Sequence, residues 1–146
     1  MRILNNDLFH IEERFNYKDC ECICGLNYKG YRYGYVIFPI FDEFCKTECF
    51  EEIIDTNLNC EINFSSRDSE RHDHIVFEFS YDHFHNKHDI ENLKKYFPNN
   101  VDIIKKVEEL DEYADDRIIG TLDMCIENCK LICYNIDREK KKLNIE

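Results

Sequence analysis

This chain of 146 residues has no tryptophan, only four glycines and only two prolines. With so few breakers, long flexible linkers are excluded, and a single domain spanning residues 1–146 is expected. Bases are also scarce: 19 Lys and Arg stand against 31 Asp and Glu, for a net charge of -12. A broad nucleic-acid-binding face needs clustered positive charge, so direct binding of DNA or RNA is disfavoured. No apolar run reaches the ~18 residues of a membrane-spanning helix. The opening residues, MRILNNDLFHIEERF, lack the roughly 7–15-residue apolar core of a secretory signal. A cytoplasmic location with reduced thiols is therefore expected. Nine cysteines is an odd number, which fits no complete disulfide framework. Neither a G-x-S-x-G elbow nor a glycine-rich run before a helix occurs, so no catalytic residue is assigned.

What is present is patterned as a core. Apolar residues make up 43% of the chain, a globular rather than a disordered composition. Residues 1–16 fit a short helix or an edge strand equally well. Cys20, Cys22 and Cys24 alternate with Glu21 and Ile23, and Lys29-Gly30 can turn the chain. Tyr31, Tyr33, Tyr35 and Ile37 then alternate with Arg32, Gly34, Val36 and Phe38, which predicts a hairpin ending before Pro39. Gly34 inside the second strand signals a bulge or a close backbone approach. Residues 46–55 carry a helical stripe behind Thr47, and Cys60, Ile62 and Phe64 alternate as a strand.

The clearest strand is Ile75 to Tyr81, placed at the centre of the sheet. There Ile75, Phe77, Phe79 and Tyr81 face one way, and His74, Val76, Glu78 and Ser80 the other. Asp89 can cap a helix to Phe97, with Leu93 and Phe97 inward. Val101, Ile104, Val107 and Leu110 give a second helix. Thr121 can cap a long one to about Asp137, with Leu122, Cys125, Ile126, Cys129, Ile132, Cys133 and Ile136 as its stripe. The fold class is α+β: an antiparallel sheet of about four to five strands packed against a long C-terminal helix and shorter helices.

Five of the six histidines fall between His72 and His88. Imidazoles beside carboxylates are common ligands of zinc, iron and manganese, and Asp89 is placed to orient a ring from behind. Their spacing matches no strong zinc signature, and a solvated polar hairpin end is the preferred account of it. Cys20-x-Cys22-x-Cys24 is not the C-x-x-C spacing of zinc knuckles. These cysteines, the Cys45/Cys49 pair and the Cys125/Cys129/Cys133 row are all read as packing residues, because buried thiols behave as small hydrophobes.

The segment order also resembles a family of small bacteriophage proteins with no established activity. Those proteins carry G-[HY]-R-C-G-Y-V, then H-G-G-L-T-[FY]-S, then W-W-x-G-F-D-C-A-H, and near the end Y-V-x-x-E-C-x-x-L-A-x-Q-L. Here Gly30 to Val36, Asn59 to Ser65, Ile75 to His83 and Met124 to Ile136 look similar in order and spacing. The family's first histidine is Asn59 in this chain, and its Asp and Cys before the last histidine are Ser80 and Tyr81. Of that polar cluster only His83 is retained. The resemblance implies a phage or prophage origin and implies no reaction. It also places Cys60 near His83. His85 shares a face with His83 in extended structure, so Cys60, His83 and His85 are the metal candidates; no cofactor is expected, and zinc is the ion such a site would take.

Acidic charge is concentrated twice. Between Asp42 and Glu70 nine acids stand against two bases, and between Asp102 and Glu127 nine stand against three. Glu51, Glu52, Asp55, Glu108, Glu109, Asp111, Glu112, Asp115 and Asp116 are the candidate partner-binding residues. Carboxylates so spaced can imitate a phosphate backbone. The leading functional expectation is a phage counter-defence protein that inhibits a host nuclease or CRISPR effector through its basic cleft. Tyr31, Tyr33 and Tyr35 are candidate anchors. The alternative is a small zinc- or iron-binding enzyme, or a ligand-binding protein, built on the histidine and cysteine residues.

Overall fold

Alternation in the first third of the chain produces three antiparallel strands in succession. The computed structural model describes residues 3–41, 61–68, 70–82 and 86–144. Strands β1 (Phe9–Tyr17), β2 (Cys20–Asn27), β3 (Arg32–Pro39), β4 (Glu61–Arg67) and β5 (His74–Ser80) form one antiparallel sheet. Its order is β1-β2-β3-β5-β4. The middle strand is therefore β3, and the expected centre, β5, lies one place towards the edge. Residues 1–16 resolve in favour of the edge strand, since β1 pairs along β2 from Phe9↔Asn27 to Tyr17↔Cys20. The helix expected over residues 46–55 lies outside the described residues.

Two turns fix the register of the first three strands. Lys18 and Asp19 both have positive φ, 48° and 65°, the backbone of a two-residue hairpin whose twist suits its strands. Lys-Asp is not one of the Asn-Gly or Asp-Gly pairs that announce such a turn, which is why this hairpin was not expected. The second turn closes at Gly30, whose φ of 96° is open to glycine at little cost. At Gly34 the alternative resolves to close approach. It pairs in register with Cys24 and Phe79, and a Cβ there would meet the Phe79 ring.

Three helices follow: α1 (Ile90–Tyr96), α2 (Val101–Asp111) and α3 (Leu122–Asn144). Short strands β6 (Asn86–Lys87) and β7 (Ile118–Ile119) pair in parallel beside them. Asp89 caps α1 by accepting from the Asn92 amide, and Thr121 Oγ1 accepts from the Met124 amide at 3.2 Å. The α3 helix runs seven residues beyond the expected Asp137. A Lys141–Asp137 pair one turn apart, 3.0 Å, supports the added turns. In α2, Ile104 and Val107 are buried while Val101 and Leu110 are exposed. Residues spaced strictly by three drift about 60° per step around a helix of 3.6 residues per turn, so the four cannot share one face.

The sheet buries both faces. Towards α3 lie Cys20, Cys22, Cys24, Val36, Phe38, Ile75, Phe77, Phe79 and Tyr81, against Cys125, Cys129, Ile132, Cys133 and Ile136. On the reverse face Ile23, Ile37 and Val76 pack with Ile3. Leu26 continues the core to Leu93, Phe97, Ile104 and Val107 of α1 and α2. The long helix thus buries its stripe on the sheet, as the pattern predicts. Among the described residues no helix is long and apolar enough to cross a membrane.

Candidate metal centre

Two rows of cysteine meet where α3 lies on β2. A strand rises about 3.4 Å per residue, so alternate residues on one face repeat at about 6.8 Å. A helix rises 1.5 Å per residue, so positions four apart repeat at about 6 Å. Cys20, Cys22 and Cys24 of β2 and Cys125, Cys129 and Cys133 of α3 therefore run nearly in step. Because the two elements run in opposite directions there, the rows interleave. The Cys22 and Cys133 Sγ atoms are 3.3 Å apart, and those of Cys24 and Cys129 are 3.6 Å apart. The Cys24, Cys125 and Cys129 Sγ atoms all lie within 4.8 Å of one another. All six residues are at most 2% exposed, and none is in a disulfide.

The two rows differ in proton affinity. Hydrogen bonds from Cys129 and then Cys133 hold the Cys22 thiol below its ordinary range, and bonds from Cys125 and then Cys129 do the same for Cys24. On the helix, burial pushes Cys125 up. Cys129 is raised by its bonds to Cys125, Cys22 and Cys24, and Cys133 by its bonds to Cys20 and Cys22. Across each sulfur pair either thiol can donate, and the Cys125 thiol also donates to the Tyr33 carbonyl at 3.5 Å.

Sulfur in this arrangement can bind a soft metal. Zinc–sulfur bonds of about 2.3 Å in tetrahedral geometry place neighbouring sulfurs about 3.8 Å apart. The observed 3.3 and 3.6 Å contacts are already close to that spacing. Thiolate ligands select zinc, monovalent copper or iron–sulfur clusters over hard oxygen-seeking cations. The surroundings, with Phe15, Val36, Phe77, Phe79 and Ile132, are apolar.

Next to this seam sits a buried ion cluster. Arg32 is 1% exposed and donates through Nε and Nη2 to both oxygens of Glu12, at 2.6 and 2.8 Å. Its Nη1 donates to Asp89 at 3.0 Å and to the Gly120 carbonyl at 2.7 Å. Glu12 is skipped in the β1–β2 register, between Ile11 and Glu13. Bulges of this kind re-aim a side chain, here the carboxylate that meets Arg32. One cation is shared by two carboxylates, so the cluster supplies no net positive charge to neighbouring thiolates.

The metal candidates Cys60, His83 and His85 lie outside the described residues. Of the other histidines, His72 is exposed and His74 Nδ1 meets the exposed Asp73 at 2.9 Å. His88 is buried, with Nδ1 2.8 Å from Asp111 and its ring against Tyr31. Asp89 does not orient a histidine: its carboxylate accepts from Arg32 and Asn92. Among the acidic candidates, Glu51, Glu52 and Asp55 are outside the described residues. Glu108, Glu109, Glu112, Asp115 and Asp116 are exposed. Asp111 turns inward and accepts from the His88 amide at 2.8 Å. Tyr31, Tyr33 and Tyr35 are half-buried, and the Tyr33 hydroxyl donates to Asp82 at 3.1 Å. Reading each cysteine row separately as packing missed their meeting. The available signal was the near-equal repeat of the two rows. No protein-family model, no curated protein and no solved structure matches the chain.

Proposed function

We propose that this protein binds a soft metal ion through thiolates held between β2 and α3. The triangle of Cys24, Cys125 and Cys129 sulfurs carries this reading. A deprotonated thiol in an apolar core needs a counter-charge, and Arg32 is already committed to Glu12 and Asp89. A metal cation supplies that charge where the sulfurs converge. Metal binding would release thiol protons and stabilise the fold, because the rows come from separate parts of the chain and meet only on folding. The test is metal analysis of protein prepared anaerobically, beside the Cys125→Ala/Cys129→Ala variant. Bound zinc or copper at one equivalent or more in the parent, and its loss in the variant, is the expected result. Equal, trace metal in both folded proteins sinks the reading.

A second reading, inhibition of a basic host nuclease by a counter-defence protein, is favoured by the exposed side of α2. Glu108, Glu109 and Glu112, against the single cation Lys105, line an open groove of about 410 Å³ with Val101 and Ile104. Tyr113 beside it is 86% exposed, so an aromatic anchor stands next to the charge. The resemblance to phage proteins and a cytoplasmic location belong with this reading. Binding to host nucleases at low salt that weakens steeply by 0.5 M salt supports it; retention of full binding by Glu108→Lys/Glu112→Lys removes its basis.

A further inference from the structure

We infer that the sulfur triangle is a three-coordinate site that selects monovalent copper over zinc. This rests on the thiolate reading above and names the ion. Zinc takes four ligands, and where a protein supplies three, water or substrate commonly completes the set. Cys24, Cys125 and Cys129 supply three sulfurs and are each 0% exposed, which leaves water no open coordination position. Among the described residues, these three sulfurs form the one group that lies mutually within 4.8 Å. Cys22 is outside that group: its sulfur reaches Cys129 alone of the three and lies 3.3 Å from Cys133. Glu12 and Asp89 hold Arg32. The Tyr33 carbonyl is 3.5 Å from the Cys125 sulfur and belongs to the β3 backbone.

Monovalent copper is a soft, filled-shell ion that two or three sulfurs satisfy without a further ligand. No redox step is involved, since the copper enters and stays monovalent. Gly34 lies in register beside Cys24, and the Phe79 ring packs against it where a Cβ would stand.

The test is competitive titration of the reduced full chain under anaerobic conditions. Copper(I) is delivered as its acetonitrile complex against a copper(I)-specific chelator, and zinc sulfate is titrated in parallel. X-ray absorption on the copper-loaded parent counts the ligands and needs no variant. The expected result is one copper with three sulfur neighbours, displacement of any bound zinc, and loss of affinity by about 100-fold or more in Cys24→Ala. Cys20→Ala should leave copper affinity within about threefold, since Cys20 pairs with Cys133, outside the triangle. Preference for zinc with four sulfurs, lost in Cys22→Ala, overturns the copper assignment and keeps the thiolate site. Binding of neither metal by the folded parent overturns both. Thermal unfolding of each variant separates loss of ligand from loss of fold.

Discussion

The Arg32 cluster and the cysteine seam are both buried polar groups on the face of the sheet that meets the helices, and they are completed differently. Around Arg32 every charge has its partner within the protein: Glu12 through two bonds, Asp89 through one, and the Gly120 carbonyl through another. Nothing further is needed, and the cluster ties β1, β3, the start of α1 and the approach to α3 together. Among the described residues, the six thiols of the seam answer one another, the Tyr33 carbonyl aside. A thiol is a weak donor and a weak acceptor, so this mutual bonding satisfies little and leaves the sulfurs available. A self-sufficient cluster is structural, whereas one that satisfies itself poorly in a dry core is where a ligand has most to gain.

Breaking the Arg32 side of that comparison should cost most. Arg32→Met keeps bulk but leaves Glu12 and Asp89 buried beside each other without a cation. Loss of one member of a buried charge group costs about 3–5 kcal/mol. Chemical denaturation is expected to show a drop of that size. Replacing all three, Arg32→Met with Glu12→Gln and Asp89→Asn, should recover much of it, because no uncompensated charge remains. A triple variant no more stable than Arg32→Met would mean that packing, not charge, dominates the cluster.

The seam should respond to metal where the Arg32 cluster does not. Free metal at about 100 times its dissociation constant adds about 2.7 kcal/mol of stability to a protein that binds it only when folded. The parent is expected to gain about that much in a thermal melt, and Cys125→Ala/Cys129→Ala to gain nothing. Without metal, each single Cys→Ala change in the seam removes one buried sulfur and should cost about 1 kcal/mol. Arg32→Met, if still folded, should keep the full metal-dependent increment. An equal increment in the double cysteine variant would place the metal elsewhere in the chain.

These expectations also mark what the sequence made legible. Strand alternation, the Asp89 and Thr121 caps and the stripe of α3 were readable because each is a local pattern tied to one periodicity. The hairpin at Lys18-Asp19 was not, since its residues are atypical for the backbone they adopt. The sheet order was hidden too, because the crossover between β3 and β4 leaves no local mark, and the clearest alternation, that of β5, does not belong to the middle strand. Arg32 is legible only as one position of an alternating strand: its partners Asp89 and Gly120 are 57 and 88 residues away. The cysteine seam was half legible. Each row was placed correctly on a buried face, but 111 residues separate Cys22 from Cys133, and their pairing is a tertiary fact.

Acid should separate the two regions with a smaller effect. Burial works against ionisation of Asp89, but hydrogen bonds from Asn92 and Arg32 outweigh it and hold the carboxyl below its usual value. With a folded pKa below the unfolded one, the stability it contributes is fully present above roughly pH 4 and is lost as pH falls through the folded value. Metal-free parent protein should therefore lose stability below about pH 4, and Asp89→Asn should show a shallower loss over the same window. Identical acid profiles for the two proteins would remove Asp89 from the account.

The smallest effect is expected at Thr121, which stands between the two regions. Its hydroxyl accepts from the Met124 amide at 3.2 Å, and its carbonyl accepts from the Cys125 amide at 3.1 Å. The preceding residue, Gly120, gives its carbonyl to Arg32. Thr121→Ala removes one helix cap, worth about 1 kcal/mol, and for a chain of this size should lower the melting temperature by about 2–4 °C. Thr121→Ser should restore most of it. The loosening falls on the first turn of α3, so amide exchange should quicken at Cys125 and stay unchanged at Cys133, two turns further on. Metal should slow that exchange again if Cys125 is a ligand, because the ion then pins the frayed turn to β2. Exchange at Cys125 that ignores both the cap and the metal would leave the first turn of α3 anchored by the Arg32 cluster alone.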